Sequence, residues 1–159
     1  MKRFIYILLF AGIIGAMCIT PIKSEFFGDF GIKEILGDNY NNYFLIGALA
    51  IVVIFPLSML LASFGEPRHV RNAVMFVIIA LIIFVGWPYL FRIGFNLQLE
   101  QEMGGLELKE VFNIAKESVQ GESFFKLGTG AIIAGIVACA GFILSVIMQV
   151  TSPKKKNKR

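Results

Sequence analysis

Few side chains in this sequence could perform chemistry, and those few lack the companions that chemistry requires. His69 is the sole histidine, and Cys18 and Cys139 are the two cysteines. A structural or catalytic zinc site draws three or four ligands from His, Cys and carboxylates at short spacings. His69 has no second His or Cys near it, and both thiols sit inside apolar runs, where a cysteine behaves as a small hydrophobe. The sequence contains no spaced nucleophile–base arrangement, no phosphate-cradling glycine loop and no paired carboxylates within an apolar run. These residues predict no enzyme, no metal and no cofactor.

The same inventory bears on transport. Ionisable residues inside a membrane mark substrate or proton paths because their burial in lipid is costly. Residues 4–22, 39–65, 72–91 and 127–153 contain no Asp, Glu, Lys or Arg. A carrier coupled to protons through a mid-span carboxylate is therefore excluded.

Those charge-free runs are also the elements that must position everything else. The chain has 159 residues, 57% of them hydrophobic and 16% charged, well below the roughly 25% charged of globular proteins. About 20 helical residues cross a hydrocarbon core of ~30 Å, and each run approaches or exceeds that length. The pattern predicts an all-α, four-transmembrane-helix bundle that forms one membrane domain over residues 1–159. Its spans fall at about 4–20, 43–64, 72–91 and 127–150. Outer loops at 21–42 and 92–126 and a basic tail at 151–159 complete the layout. Pro56 and Pro88 predict kinks, since each removes a helix hydrogen bond.

Orientation follows from the basic residues. Lys2, Arg3, Arg68, Arg71, Lys154, Lys155, Lys156, Lys158 and Arg159 flank the spans on one side, with Glu66 the only acid among them. The loop at 21–42 carries Glu25, Asp29, Glu34 and Asp38 against Lys23 and Lys33, and the loop at 92–126 is likewise acid-rich. The positive-inside rule places both termini and the link at 65–71 in the cytoplasm, giving two outward-opening hairpins. This is the pattern of a multi-pass protein of a bacterial cytoplasmic membrane. The net charge of +4 is explained by the tail, which suits anionic lipid headgroups and needs no nucleic acid. Lys2 and Arg3 before an apolar run resemble the start of a secretory leader. Ala16, Met17 and Cys18, however, do not provide a small-x-small cleavage site, so the first span is expected to be retained.

Three features suit contacts rather than catalysis. In the fourth span Ala131, Ala134, Ala138, Gly141 and Ser145 recur at alternating steps of three and four, a seam of small residues. Lipid supplies no hydrophobic force between helices, so close approach across such residues must drive association. Gly12 and Ala16 offer a smaller counterpart on the first span. In the second outer loop Leu108, Phe112 and Val119 lie on one apolar stripe of a predicted amphipathic helix. Trp87, Tyr89 and Arg92 read as an anchor at the membrane interface. The first outer loop mixes Phe26, Phe27, Phe30, Ile32, Ile35 and Leu36 with acids, as a segment lying on the membrane surface would.

The functional expectation is a non-catalytic accessory or scaffolding subunit of a larger membrane complex, bound to other subunits or to itself. The alternative is a small oligomeric channel, holin-like pore or carrier of a neutral solute. No small-molecule substrate is indicated.

Overall fold

The computed structural model describes residues 2–24, 26, 28–37, 42–65, 68–104, 107–120 and 125–151. It excludes the side chains of residues 108, 109, 112, 115, 119 and 120. The described chain is mostly helical, in the order α1 (Lys2–Met17), α2 (Ile32–Leu36), α3 (Tyr43–Ala62), α4 (His69–Leu81), α5 (Trp87–Met103), α6 (Leu108–Gln120) and α7 (Thr129–Val150). A π turn, Ile82–Gly86, joins α4 to α5 without a break. Three helices are long and apolar enough to cross a membrane: Tyr43–Ala62, the joined His69–Met103, and Thr129–Val150. The first helix has 16 residues.

The joined helix departs from the sequence reading. Arg92 looked like the end of a span, but the helix continues to Met103. At 1.5 Å per residue its 35 residues extend about 52 Å. The π turn lies just ahead of Pro88, which has no N–H to give to the carbonyl one turn back. A widened turn accommodates that missing bond, and the Trp87 N–H bonds instead to the Ile82 carbonyl, five residues back.

In cross-section α1 lies between α7 and α3. The joined helix packs on α7 through α4 and on α3 through α5, so it changes partner near the π turn. The inward face of α1 is Tyr6, Phe10, Ile13 and Met17, spaced four, three and four, which turns one helical stripe into the core. Phe10 stacks on Phe76 of α4 with ring centres 4.4 Å apart. At the α3–α5 crossing, a Cβ added to Gly94 would stand 2.9 Å from the Phe44 carbonyl oxygen, so that crossing requires glycine.

The all-α expectation needs one correction. Strands β1 (Ile22–Ser24), β2 (Gly28–Phe30) and β3 (Phe125–Leu127) form an antiparallel sheet in the order β2-β1-β3. Ile22 pairs with Phe30 on one side and Leu127 on the other. The first hairpin closes through Gly28 at φ 80°, a conformation that side chains disfavour. This sheet joins the two loops expected to be separate and caps one end of the bundle. Beneath it lie Phe30, Phe125, Trp87, Phe91 and Phe95, in mostly edge-to-face pairs with ring centres 5.1–6.4 Å apart.

Trp87 is therefore not an interfacial anchor. Its ring is fully buried, and Nε1 donates to the Pro21 carbonyl at 2.6 Å. The Gly128 N–H also donates to that oxygen at 3.3 Å, and Gly130 N–H donates to the Thr20 carbonyl at 3.0 Å. The chain leaving α1 is thus held by α5 and by the start of α7 at once. Trp87→Phe removes the shorter of the two bonds to Pro21 together with part of the buried ring. It should lower stability by about 1–2 kcal/mol, read as a reduced midpoint in detergent thermal denaturation. An unchanged midpoint would show that the indole bond contributes nothing.

Candidate functional site

The fourth-span seam is buried within the chain. Ala131, Ala134, Ala138 and Ser145 have no exposed surface, and Gly141 is buried with them. Its use changes along its length. Near the start of α7, Gly130 lies against the backbone of Ala16 in α1 and of Thr20 just beyond it, the close approach that small residues permit. Further along, the seam receives aromatic rings. A Cβ added to Gly141 would lie 2.6 Å from the Phe76 ring, and Gly135 lies against Phe84. The Ser145 hydroxyl donates to its own helix at the Gly141 carbonyl, 2.7 Å away, so its polarity is satisfied internally. None of the five seam residues is left free for a second chain.

The α1 counterpart divides. Ala16 is buried against α7, whereas Gly12, one turn earlier and further round toward the outside, is exposed, and an added Cβ there would meet nothing within 4 Å. Gly15 shares that open face, flanked by exposed Leu8 and Ile19.

The amphipathic helix expected in the second outer loop is α6, which packs along α5. The side chains of Leu108, Phe112 and Val119 lie outside the described residues. Ser118 is buried and accepts a 2.7 Å hydrogen bond from Asn96 Nδ2, which fixes α6 to the extension of the long helix. Between these helices is a recess of about 310 Å³ lined by Arg92, Asn96, Glu100, Glu117 and Ser118, a place of mixed polarity. Arg92 is partly buried in it, and Tyr89 remains exposed.

At the other end of the bundle is a polar pair that sequence reasoning missed. Tyr6 is fully buried, and its hydroxyl lies 2.8 Å from His69 Nδ1; which atom donates depends on the imidazole tautomer. The residues are 63 apart in sequence, and no local spacing announces them. Tyr6 also stacks on Phe76. On the same face of α4, one turn from His69, Asn72 is fully buried with neither side-chain Nδ2 nor Oδ1 hydrogen-bonded. Among the described residues, no group of three His, Cys, Asp or Glu is placed to hold a metal.

Compared with known proteins, the chain matches no family model, no curated protein and no solved structure.

Two substitutions separate these environments. Ala138→Leu forces a side chain into a filled seam and should cost about 1–3 kcal/mol in the isolated chain, whereas Gly12→Leu should leave the thermal midpoint unchanged. Equal midpoints for the two variants would contradict the packing described. An unpaired buried amide costs about 1–3 kcal/mol, so Asn72→Val, only about one methylene larger, should raise the midpoint. A fall would show that Asn72 is hydrogen-bonded in the native molecule.

Proposed function

We propose that this chain is a four-span, non-catalytic accessory or scaffolding subunit of a membrane complex, with both termini on the cytoplasmic side of a bacterial inner membrane. The fourth span in this reading is α1. Its 16 residues extend about 24 Å, and the apolar residues Cys18 and Ile19 continue beyond it. Lys2 and Arg3 of α1 and Arg68 and Arg71 beside the start of α4 belong to one end of the bundle, where α7 also ends. The Tyr6–His69 bond ties α1 to α4 there. The sheet, with Lys23, Asp29 and Lys126, is at the other. That separation suits the positive-inside rule.

The observation that carries the functional reading is the length of the joined helix. About 52 Å exceeds a ~30 Å core by roughly 20 Å, so its outer turns stand beyond the hydrocarbon. There they hold α6 by the Asn96–Ser118 bond and frame a polar recess. A fixed amphipathic helix on a rigid post is a surface for another protein. Within the membrane, the open Gly12–Gly15 face of α1 allows a second helix close approach.

The test is mild-detergent affinity purification of the tagged chain with mass spectrometry of what accompanies it. Partner subunits should be recovered, and Gly12→Leu should reduce recovery severalfold without lowering the thermal midpoint. A wild-type chain that purifies alone and monomeric would overturn the reading. Orientation is checked with single cysteines in a background lacking Cys18 and Cys139. Cysteines at positions 155 and 110 should react with impermeant reagents from opposite sides, and labelling from the same side would refute the layout.

A further inference from the structure

Five buried side-chain polar atoms among the described residues have no hydrogen-bond partner, and four of them belong to two consecutive residues. They are Nε and Nη2 of Arg71, and Nδ2 and Oδ1 of Asn72. Buried polar groups in folded proteins are nearly all paired, so this concentration calls for a cause. The other polar side chains toward this end of the bundle have their own partners. The Tyr6 hydroxyl is engaged with His69, Ser63 donates to the Met59 carbonyl, and Ser145 donates to the Gly141 carbonyl.

Arg71 and Asn72 are the third and fourth residues of α4. Helical side chains lean toward the N-terminus of their helix, so both lean toward the end where backbone N–H groups lack an intrahelical acceptor. The cap residue Arg68 gives that turn no side-chain bond, and the aligned peptide dipoles make it partly positive. Lys2 of α1 stands close enough for its charge to act on the His69 ring. The positive charge here has no countercharge on the helices around it, because α1, α3, α4 and α7 contain no Asp or Glu. A guanidinium cannot escape by losing its proton, and half of this one is turned inward, away from water.

The orphaned atoms specify what would satisfy them. Nε–H and Nη2–H are parallel donors that grip two oxygens of a carboxylate or a phosphate. Asn72 Nδ2 adds a donor about 100° round the helix, and a carboxylate held by the fork has no third oxygen to give it. Asn72 Oδ1 needs a donor, which the hydroxyl of a hydrogen phosphate supplies. We infer that Arg71 and Asn72 bind one hydrogen phosphate group, either the free ion or a lipid phosphate monoester. The Arg71 fork takes two oxygens, Nδ2 donates to a third, and Oδ1 accepts from the P–OH. Arg71 is only half-buried, and its flexible stem swings to admit the anion. The inference needs the packed start of α4 and does not depend on the accessory-subunit reading.

The experiment uses the full chain in mild detergent and phosphate-free chloride buffer at about pH 6, where a phosphate monoester keeps a proton. Inorganic phosphate is titrated in and followed by phosphorus NMR and by the thermal midpoint. Saturable broadening and a midpoint that rises with phosphate are expected. Sulfate, which brings no proton to Oδ1, should displace phosphate only at roughly tenfold higher concentration. Arg71→Lys keeps the charge but loses the fork and should weaken binding about tenfold or more, and Asn72→Val should remove the preference over sulfate. Phosphatidic acid that outcompetes inorganic phosphate assigns the site to a lipid monoester, and phosphatidic acid that competes weakly assigns it to the free ion. No saturable binding, equal affinity for sulfate, wild-type binding by Arg71→Lys, or equal competition by the diester phosphatidylglycerol and phosphatidic acid would each overturn the inference. So would binding that emerges only in Glu66→Gln, since the chain's own carboxylate would then hold the site.

Discussion

The carbonyl of Pro21 is where the molecule is tied together. A chain leaving a helix in an apolar environment exposes backbone oxygens that lipid cannot satisfy, each at a cost of several kcal/mol. Here Pro21 receives the Trp87 indole N–H and the Gly128 N–H, while Thr20 next to it receives Gly130. One corner thereby fixes the exit of α1, the start of α5 and the start of α7. The three-stranded sheet extends from that corner, since β1 begins at Ile22 and pairs with β3 just before α7. The aromatic cluster under the sheet fills the remaining space with rings from α5, β2 and β3.

Packing below that corner works by complementary sizes. The α7 seam is small so that its neighbours can be large: Phe76 and Phe84 lie against Gly141 and Gly135, while Tyr6 and Phe10 stack on Phe76 from α1. Interiors are close-packed, and a methyl's worth of extra volume is felt. A glycine in this seam therefore specifies an aromatic on the neighbouring helix as firmly as it specifies close backbones.

Much of this was legible in the sequence, for physical reasons. Runs without charge forced long apolar helices, and 43–64 and 127–150 match α3 and α7 closely. The small-residue seam was legible as a buried stripe because alternating steps of three and four keep one face. The sheet was not legible, since three-residue strands carry almost no periodicity and β1 pairs with a strand about a hundred residues away. Trp87 misled because an aromatic followed by Arg92 resembles the end of a span. Nothing local shows that α6 and β3 will support the helix as far as Met103. The Tyr6–His69 pair is a product of tertiary structure alone, and no spacing in the chain encodes it.

The exchange of neighbours along the joined helix has a consequence for biogenesis. Its first half rests on α7, which is synthesised after it, so the hairpin of α3 and α4 cannot finish packing when it is made. Until Thr129–Val150 arrives, the rings of Tyr6, Phe10 and Phe76 lack the seam that encloses them, and Pro21 lacks its second donor. Helix α7 therefore acts as a latch on the helices synthesised before it. A chain truncated ahead of α7 would present its aromatic interior to lipid and to quality-control proteases.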